Sequence, residues 1–364
     1  MANNADLRAA KANKKDEFYT SYADIETEMN SYIEYNPNVF RDKVILLPCD
    51  DPEWSNFTKY FVTNFERLGL RKLISTSYAP GAGNRQTTAF EENSPEYDED
   101  KHAAHGKLFI LDKSTPAPIS VDSLTFTYLD GDGDFRSDEV RVLRDEADII
   151  VTNPPFSLFR AFVAWVLEAD KQLIILGNLN AVTTKEIFPL VKANKLWFGP
   201  SIHSGDREFR VPDDYPLTAA GWRVDADNQK YIRVKGVRWY TNIDHGVRHE
   251  ELVCMSTADN LKFHKKLKKK LQELTLTSYP VYDNYNAIEV PFTDAIPSDY
   301  PGVMGVPITF LDKHNPNQFE ILGASEQCGR GFAGKLFDDS SKVFHPLVNG
   351  EKTFSRLFIK HKEV

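Results

Sequence analysis

Cysteine is scarce in this chain: Cys49, Cys254 and Cys328 are the only three among 364 residues. They stand far apart and form no CxxC pair, which excludes a disulfide framework and a cysteine zinc site and points to a reducing, cytoplasmic setting. Long apolar runs are missing as well, and the opening residues MANNADLRAAKANKKDEF are polar. Neither a membrane span nor export is expected. An excess of basic charge is also lacking. Lys and Arg number 44 against 53 Asp and Glu, a net charge of −9, whereas a protein that coats nucleic acid by charge alone is basic. Any polyanion partner must therefore meet a local basic surface. The chain has no GxxxxGK[ST], no GxGxxG, no HExxH and no nucleophile elbow, which disfavours P-loop, dinucleotide, zincin and hydrolase chemistry. No internal repeat is visible.

What is present reads as an ordinary globular protein, with 41% apolar and 27% charged residues. At roughly 150 residues per domain, the length fits one large domain or two unequal ones. Val44 to Leu47 is an apolar run ending at Cys49-Asp50-Asp51-Pro52, followed by a helical pattern through Phe57, Tyr60, Phe61, Phe65 and Leu68 that Gly69 stops. Leu73-Ile74 is a second short strand, and the polar stretch from Pro80 to Gly106 reads as a surface insertion. Strand-like runs at Leu108 to Leu111 and Leu124 to Leu129 lead into Asp130-Gly131-Asp132-Gly133-Asp134-Phe135. Ile149 to Val151 then enters Asn153-Pro154-Pro155-Phe156, with Ser157 as the expected N-cap of a helix carrying Leu158, Phe159, Phe162, Val163, Val166 and Leu167. Leu173 to Leu176 is the next buried strand, and Thr183 with Glu186 predicts a capping box. Continuous apolar strands alternating with amphipathic helices imply a doubly wound, mostly parallel α/β sheet. Beyond about residue 200 the runs shorten and become β-like, with an Asn349-Gly350 hairpin turn and one lysine-rich helix expected over Asn260 to Leu274. That half reads as an α+β recognition module.

In such sheets ligands sit beyond the carboxyl ends of the strands, and the polar clusters after Leu47, Leu129 and Val151 fall at such ends. Asn153-Pro154-Pro155-Phe156 is the sharpest signal, with a chance occurrence on the order of one in a thousand. An exocyclic amine on a nucleobase is a poor nucleophile because its lone pair is delocalised into the ring. The Asn153 side-chain oxygen and the Pro154 carbonyl can each accept one of its N–H groups and favour the pyramidal nitrogen that methyl transfer requires. Pro154 and Pro155 stiffen the loop, and Phe156 offers a flat face for stacking. The bland alternative is a rigid strand-to-helix turn. Asp130 to Asp134 fails the EF-hand template, since positions six and twelve are Phe135 and Arg141. A turn whose Asp134 accepts from an adenine amino group while Phe135 packs on the ring reads better. His203, His245, His249 and His264 are scattered and carry no site by themselves.

Taken together, DEFYT near the start, CDDP after the first strand, GDGDF, VTNPPFSLFR, LGNLNAVTTKE, YDNYNAIEVP and GVMGVPITFLDKHNPNQFEILG resemble the adenine-specific DNA methyltransferases of the EcoRI modification type. The likeness covers nearly the whole chain, and its motifs arrive in the gamma order: DEFYT first, cofactor motifs next, then the catalytic motif, with target recognition last. The resemblance implies a Rossmann-like catalytic domain over residues 1–245 and a DNA target-recognition region over 246–364. It implies that Phe18, Tyr19 and Thr20 line the methionine end of S-adenosylmethionine, that Asp50, Asp51 and Pro52 lie beside it, and that Asp134 and Phe135 hold the adenine end. Asn153, Pro154, Pro155 and Phe156 would receive an adenine flipped out of double-stranded DNA, at a cost of a few kcal/mol in unstacking. No metal is implied, because the sulfonium carries the leaving group and transfer is a matter of positioning. The family's glycine-rich cofactor loop is replaced here by Asp50 to Asn56, and the second strand ends Ser75-Thr76-Ser77-Tyr78 without the usual acidic ribose ligand.

The implied function is N6-adenine methylation of DNA in a restriction-modification system, or in a phage-borne or solitary equivalent. A cognate endonuclease would share the site without physical association. Lys265, Lys266 and Lys269, with Arg330 and Lys335 in the loop Gly329 to Lys335, are the local basic candidates for DNA phosphates. Two alternatives are methylation of an exocyclic amine in ribosomal RNA or of a protein glutamine, and a catalytically inactive DNA-binding relative that a cofactor-binding assay would expose.

Overall fold

The computed structural model describes residues 20–53, 55–79, 96–102, 104–114, 125–203, 206–211, 217, 221–325 and 330–362. Most of the expected insertion from Pro80, and the residue Leu124, lie outside them. The chain forms two compact units, one of residues 1–178 with 204–243 and the other of 179–203 with 244–364. The architecture is mixed α/β, with a large mixed sheet in the first unit.

That sheet begins with β1 (Val44–Leu47), four aliphatic residues buried on both faces. β1 is flanked by β2 (Lys72–Thr76) and β5 (Ile149–Thr152), and β5 by β6 (Gln172–Asn178), all parallel. Parallel pairing requires crossovers that cover both faces, which is why these strands read as unbroken apolar runs. The order then turns antiparallel at both edges. β3 (Lys107–Asp112) pairs with β2, β4 (Thr127–Tyr128) with β3, and the late strand β10 (Val237–Thr241) returns to pair with β6. Successive strands thus run from β1 to β2 in one direction and from β1 to β5 in the other. Sheets of this kind hold ligands in a crevice at such a reversal, here between the carboxyl ends of β1 and β5.

The helices of this unit are capped by local side chains. α1 (Tyr22–Tyr35) begins at Ser21, which accepts from the Asp24 N–H. α2 (Asn56–Thr63) begins at Ser55, which accepts from the Phe57 N–H, and the following turn ends at Gly69 in the left-handed conformation, φ 65°. α3 (Asp138–Glu146) is capped by Ser137. α4 (Phe159–Glu168) departs from expectation: a 3₁₀ turn, Phe156–Leu158, intervenes, and the residue before α4 is Leu158 rather than Ser157. The prolines force this, because Pro155 holds an extended backbone (φ −52°, ψ 122°) and its carbonyl accepts from the Leu158 N–H, tightening the first turn. β7 (Asp206–Val211), β8 (Arg223–Val224) and β9 (Lys230–Lys235) form a small antiparallel sheet in the order β7-β9-β8.

In the second unit the expected capping box at Thr183 is displaced. The Thr183 hydroxyl donates to the Asn180 carbonyl within a 3₁₀ stretch, and α5 (Phe188–Lys192) starts only after Ile187, with Pro189 in its first turn. The single helix expected over Asn260 to Leu274 is two, α6 (Thr257–Phe263) and α7 (Lys265–Glu273). His264 divides them: its Nδ1 accepts from the Leu267 N–H at 3.0 Å, so it caps α7, while its ring stacks on Phe292 and its Nε2 lies 3.2 Å from Asp294. Leu267 and Leu271 face inward. A mixed sheet in the order β11-β12-β16-β13 joins β11 (Ile288–Glu289), β12 (Met304–Pro307), β13 (Phe319–Ala324) and β16 (Arg356–His361). The hairpin β14 (Leu347–Val348) to β15 (Glu351–Lys352) turns through Asn349 and Gly350 with φ of 52° and 77°, the two left-handed positions a two-residue hairpin requires.

Candidate active site

Asp50 lies just past the end of β1, and four hydrogen bonds tie it to the neighbouring strand ends and helix. Its N–H donates to the Thr76 carbonyl at the end of β2. Its carboxylate accepts from the Ser55 hydroxyl at 2.8 Å and from the Thr152 hydroxyl, the last residue of β5, at 2.6 Å. Ser75 donates to the Asp50 carbonyl at 2.6 Å and shares a hydrogen bond with Thr58 of α2. The Asp50 side chain is buried, and burial pushes its carboxyl up to about 7, a rise that the Thr152 and Ser55 hydroxyls oppose and the charge of Asp51 reinforces. One residue beyond Thr152 stands Asn153, half-buried, whose amide donates to the Thr20 hydroxyl at 3.3 Å. Thr20 is itself buried, and its carbonyl accepts from the Asn56 side chain at 2.8 Å. The structure therefore brings Thr20, Asp50 and Asn153 together through Ser55, Asn56 and Thr152. Pro154 is buried behind Asn153, while Pro155 and Phe156 are partly exposed. Phe18 and Tyr19 lie outside the described residues.

Asp51 faces a different partner. Lys107, at the start of β3 and only 1% exposed, lies 3.2 Å from the Asp51 carboxylate and pairs with Glu53 as well. Its ammonium sits 5.0 Å from the centre of the Phe126 ring. A lysine buried this deeply is stable only with its charge matched. Pro52 is buried between the two carboxylates in sequence. Asp51, Glu53 and Lys107 thus form a charged clamp that fixes the loop after β1 against β3.

The Asp130 to Phe135 loop is held by close backbone packing. Gly133 adopts φ 78°, and a Cβ there would lie 2.1 Å from the Ser77 carbonyl oxygen; one on Gly106 would lie 2.5 Å from the same atom. Only glycine fits at that crossing. The Gly106 N–H donates to the Gly131 carbonyl, the Ala79 N–H to that of Asp132, and Glu139 accepts from the N–H groups of Asp130 and Gly131. Asp134 makes an ion pair with Arg136, 2.5 Å between charged atoms. Phe135 is 4% exposed and packs against Phe162 and Trp165 of α4 at ring separations of 5.0 and 5.4 Å.

Of the basic residues expected to meet DNA, Lys265, Lys266 and Lys269 are exposed on α7, opposite its buried leucines, and Lys335 is exposed. Arg330 opens a short helix, Arg330–Ala333, and its side chain lies outside the description. Sequence reasoning passed over Ser55, Asn56, Thr152 and Lys107. The available signal was positional for the first three, polar residues at strand ends and helix starts, and for Lys107 a lone cation entering an apolar strand.

Three relatives align over most of the chain. It is 40% identical to the Type II methyltransferase M.EcoRI of Escherichia coli, with all of this chain and 99% of the relative covered. It is 35% identical to M.MpnI of Mycoplasma pneumoniae over 86% of this chain and 84% of that protein, and 32% identical to M.MgeORF184P of Mycoplasma genitalium over 98% of each. No solved structure matches. The family described as adenine-specific methyltransferase EcoRI matches residues 6–362, so this chain belongs to the EcoRI family of adenine-specific methyltransferases.

Proposed function

We propose that the crevice between β1 and β5 transfers the methyl group of S-adenosylmethionine to the exocyclic amine of an adenine turned out of double-stranded DNA. The observation that carries this reading is the placement of Asn153. It follows directly on a buried parallel strand, at the point where strand order reverses, and its amide is held by Thr20. With the Nδ2 group so engaged, the Asn153 carbonyl oxygen and the Pro154 carbonyl serve as the acceptors for the two amine hydrogens. Phe156, partly exposed on the 3₁₀ turn, stacks on the base. Holding the nitrogen lone pair toward the methyl donor is a matter of position, so the stiffness of Pro154 and Pro155 contributes directly.

The residues present fit the cofactor. S-adenosylmethionine carries a sulfonium and an ammonium, and Asp50 is a buried carboxylate whose hydrogen-bond donors among the described residues are the neutral hydroxyls of Ser55 and Thr152. Thr20, Asp50, Asp51 and Pro52 hold its methionine end together with Phe18 and Tyr19, and the loop of Asp134 and Phe135 lies by its adenine. When bound, the cofactor supplies an activated methyl group, and no metal is required. The sheet is the doubly wound, Rossmann-like sheet of a catalytic domain spanning residues 1–245, with residues 246–364 as the DNA target-recognition region. There Lys265, Lys266, Lys269, Arg330 and Lys335 contact phosphates. The protein acts in the cytoplasm as one half of a restriction-modification pair, or alone.

Incubating the purified protein with duplex DNA and methyl-deuterated S-adenosylmethionine, then digesting to nucleosides for mass spectrometry, tests the reading. Deuterated N6-methyladenine is expected. Label that appears only in RNA or protein acceptors, with none in DNA, contradicts it.

A further inference from the structure

The net charge of −9 makes any local surplus of cations informative, and the small sheet β7-β9-β8 carries one. Its strands alternate faces, so the register sorts the side chains. Phe209, Val211 and Ile232 are buried on one face. The other face presents Glu208 opposite Arg233, and Arg210 opposite Tyr231, which is opposite Arg223 in turn. Arg223 reaches diagonally to Glu208 in a two-pronged ion pair and lies over the Tyr231 ring at 4.0 Å. Three carboxylates stand among these cations: Glu208, which takes that pair, Asp206 opposite Lys235 on the same face, and Asp225 just beyond β8, which acts on Tyr231 and Arg223; over its strands as a whole the sheet carries Arg207, Arg210, Arg223, Lys230, Arg233 and Lys235 against Asp206 and Glu208. Arg210 and Arg233 are both exposed, and Arg233 shares the Glu208 charge with Arg223.

Lys59 of α2 adds to the surplus. It is partly buried, and burial pulls its ammonium below the usual lysine range while the charge of Arg210 pulls it further the same way. Trp222, just before β8, is half exposed.

We propose that this face of the small sheet, with Arg210, Arg233 and the adjacent Lys59, binds phosphates of the DNA backbone. The proposal rests on the reading of the protein as a DNA methyltransferase. It adds a phosphate-contacting surface in the unit that carries Asn153, distinct from the lysines of α7. Exposed guanidinium groups suit phosphate because they offer paired donors that carry their charge at any working pH. The ion-paired Arg223 and Tyr231 form the fixed floor on which Arg210 stands.

The test is the salt dependence of duplex binding by the full chain, read by fluorescence anisotropy with a labelled duplex. An Arg210→Gln/Arg233→Gln variant is compared with the unmodified protein. Removing two phosphate contacts is expected to lower the slope of log K against log salt by about 2 and to weaken binding at low salt by roughly tenfold or more. Lys59→Met alone is expected to lower the slope by about 1. Thermal unfolding and S-adenosylmethionine affinity, measured on the same samples, identify a variant that has lost its fold; Arg210→Gln and Arg233→Gln made singly then serve in its place, and each is expected to lower the slope by about 1. An unchanged slope and affinity in the folded double variant overturns the proposal. If the slope falls but the unmodified protein leaves DNA unmethylated, the enzymatic reading fails and the phosphate surface stands.

Discussion

Asp50 and Glu289 are nearly equally buried, 6% and 5% exposed, yet their surroundings are chemically opposite. Glu289, on β11, meets the guanidinium of Arg356 across the sheet, with Nε 3.0 Å and Nη2 2.5 Å from its oxygens, and it accepts from the Tyr282 hydroxyl besides. Its charge is answered within the protein. Among the described residues Asp50 is given hydroxyl donors and a neighbouring carboxylate, and its carboxyl is pushed up to about 7. A buried charge that serves packing is matched where it stands, whereas one that serves a ligand is left for the ligand to match. The difference supports the proposed reading of the β1 and β5 strand ends as the place of a cationic cofactor, with the second unit's ion pair as internal support.

The largest effect should come from breaking the matched pair. Arg356→Met leaves Glu289 buried without its cation and is expected to lower unfolding free energy by about 3–5 kcal/mol in urea titrations. Adding Glu289→Met should recover much of that loss. Should Arg356→Met be neutral, the pair is not the support described.

Asp50→Asn should act in the other direction on stability. A carboxyl raised from about 3.8 to about 7 on folding stabilises the fold fully below pH 3.8, and that contribution is lost as pH rises through 7. At pH 8 the substitution is therefore expected to raise stability by on the order of 1–3 kcal/mol and to flatten its pH dependence between those values. Cofactor affinity should meanwhile fall on the order of 10- to 100-fold, measured by calorimetry. In the unmodified protein, affinity for S-adenosylmethionine should rise as pH increases through 7. An Asp50→Asn variant that binds the cofactor normally would remove the contrast between the two carboxylates.

What could be read in advance divides along similar lines. Val44 to Leu47, Ile149 to Val151 and Leu173 to Leu176 announce themselves as parallel strands because both their faces are buried, so nothing polar interrupts them. Asn153 to Phe156 was legible because the motif and its place after a strand coincide. Gly69 and Asn349-Gly350 were legible because only left-handed backbone explains them there. The break at His264 was not, since it depends on Phe292 and Asp294, distant in sequence, holding the ring that caps α7. The late start of α4 escaped because two consecutive prolines delay a helix that periodicity alone begins earlier. The Lys107 clamp joins residues 54 and 56 positions apart, and no local pattern carries such a pairing.

A smaller effect should follow from replacing Lys265, Lys266 and Lys269 together with alanine. If all three touch phosphate, the salt slope of binding falls by up to about 3, and the fold is unaffected because their side chains are exposed. An unchanged slope would assign the phosphate contacts elsewhere in the chain.

The most direct test of the whole account is long-read sequencing of plasmid DNA from cells expressing the protein, beside an Asn153→Ala control, scoring N6-methyladenine at every position. Full methylation of one short sequence with the unmodified protein, and its loss with Asn153→Ala while cofactor binding persists, is the predicted result. Equal methylation in both samples would contradict the role of Asn153, and unmodified DNA in both, from a protein that binds S-adenosylmethionine, would contradict the DNA substrate itself.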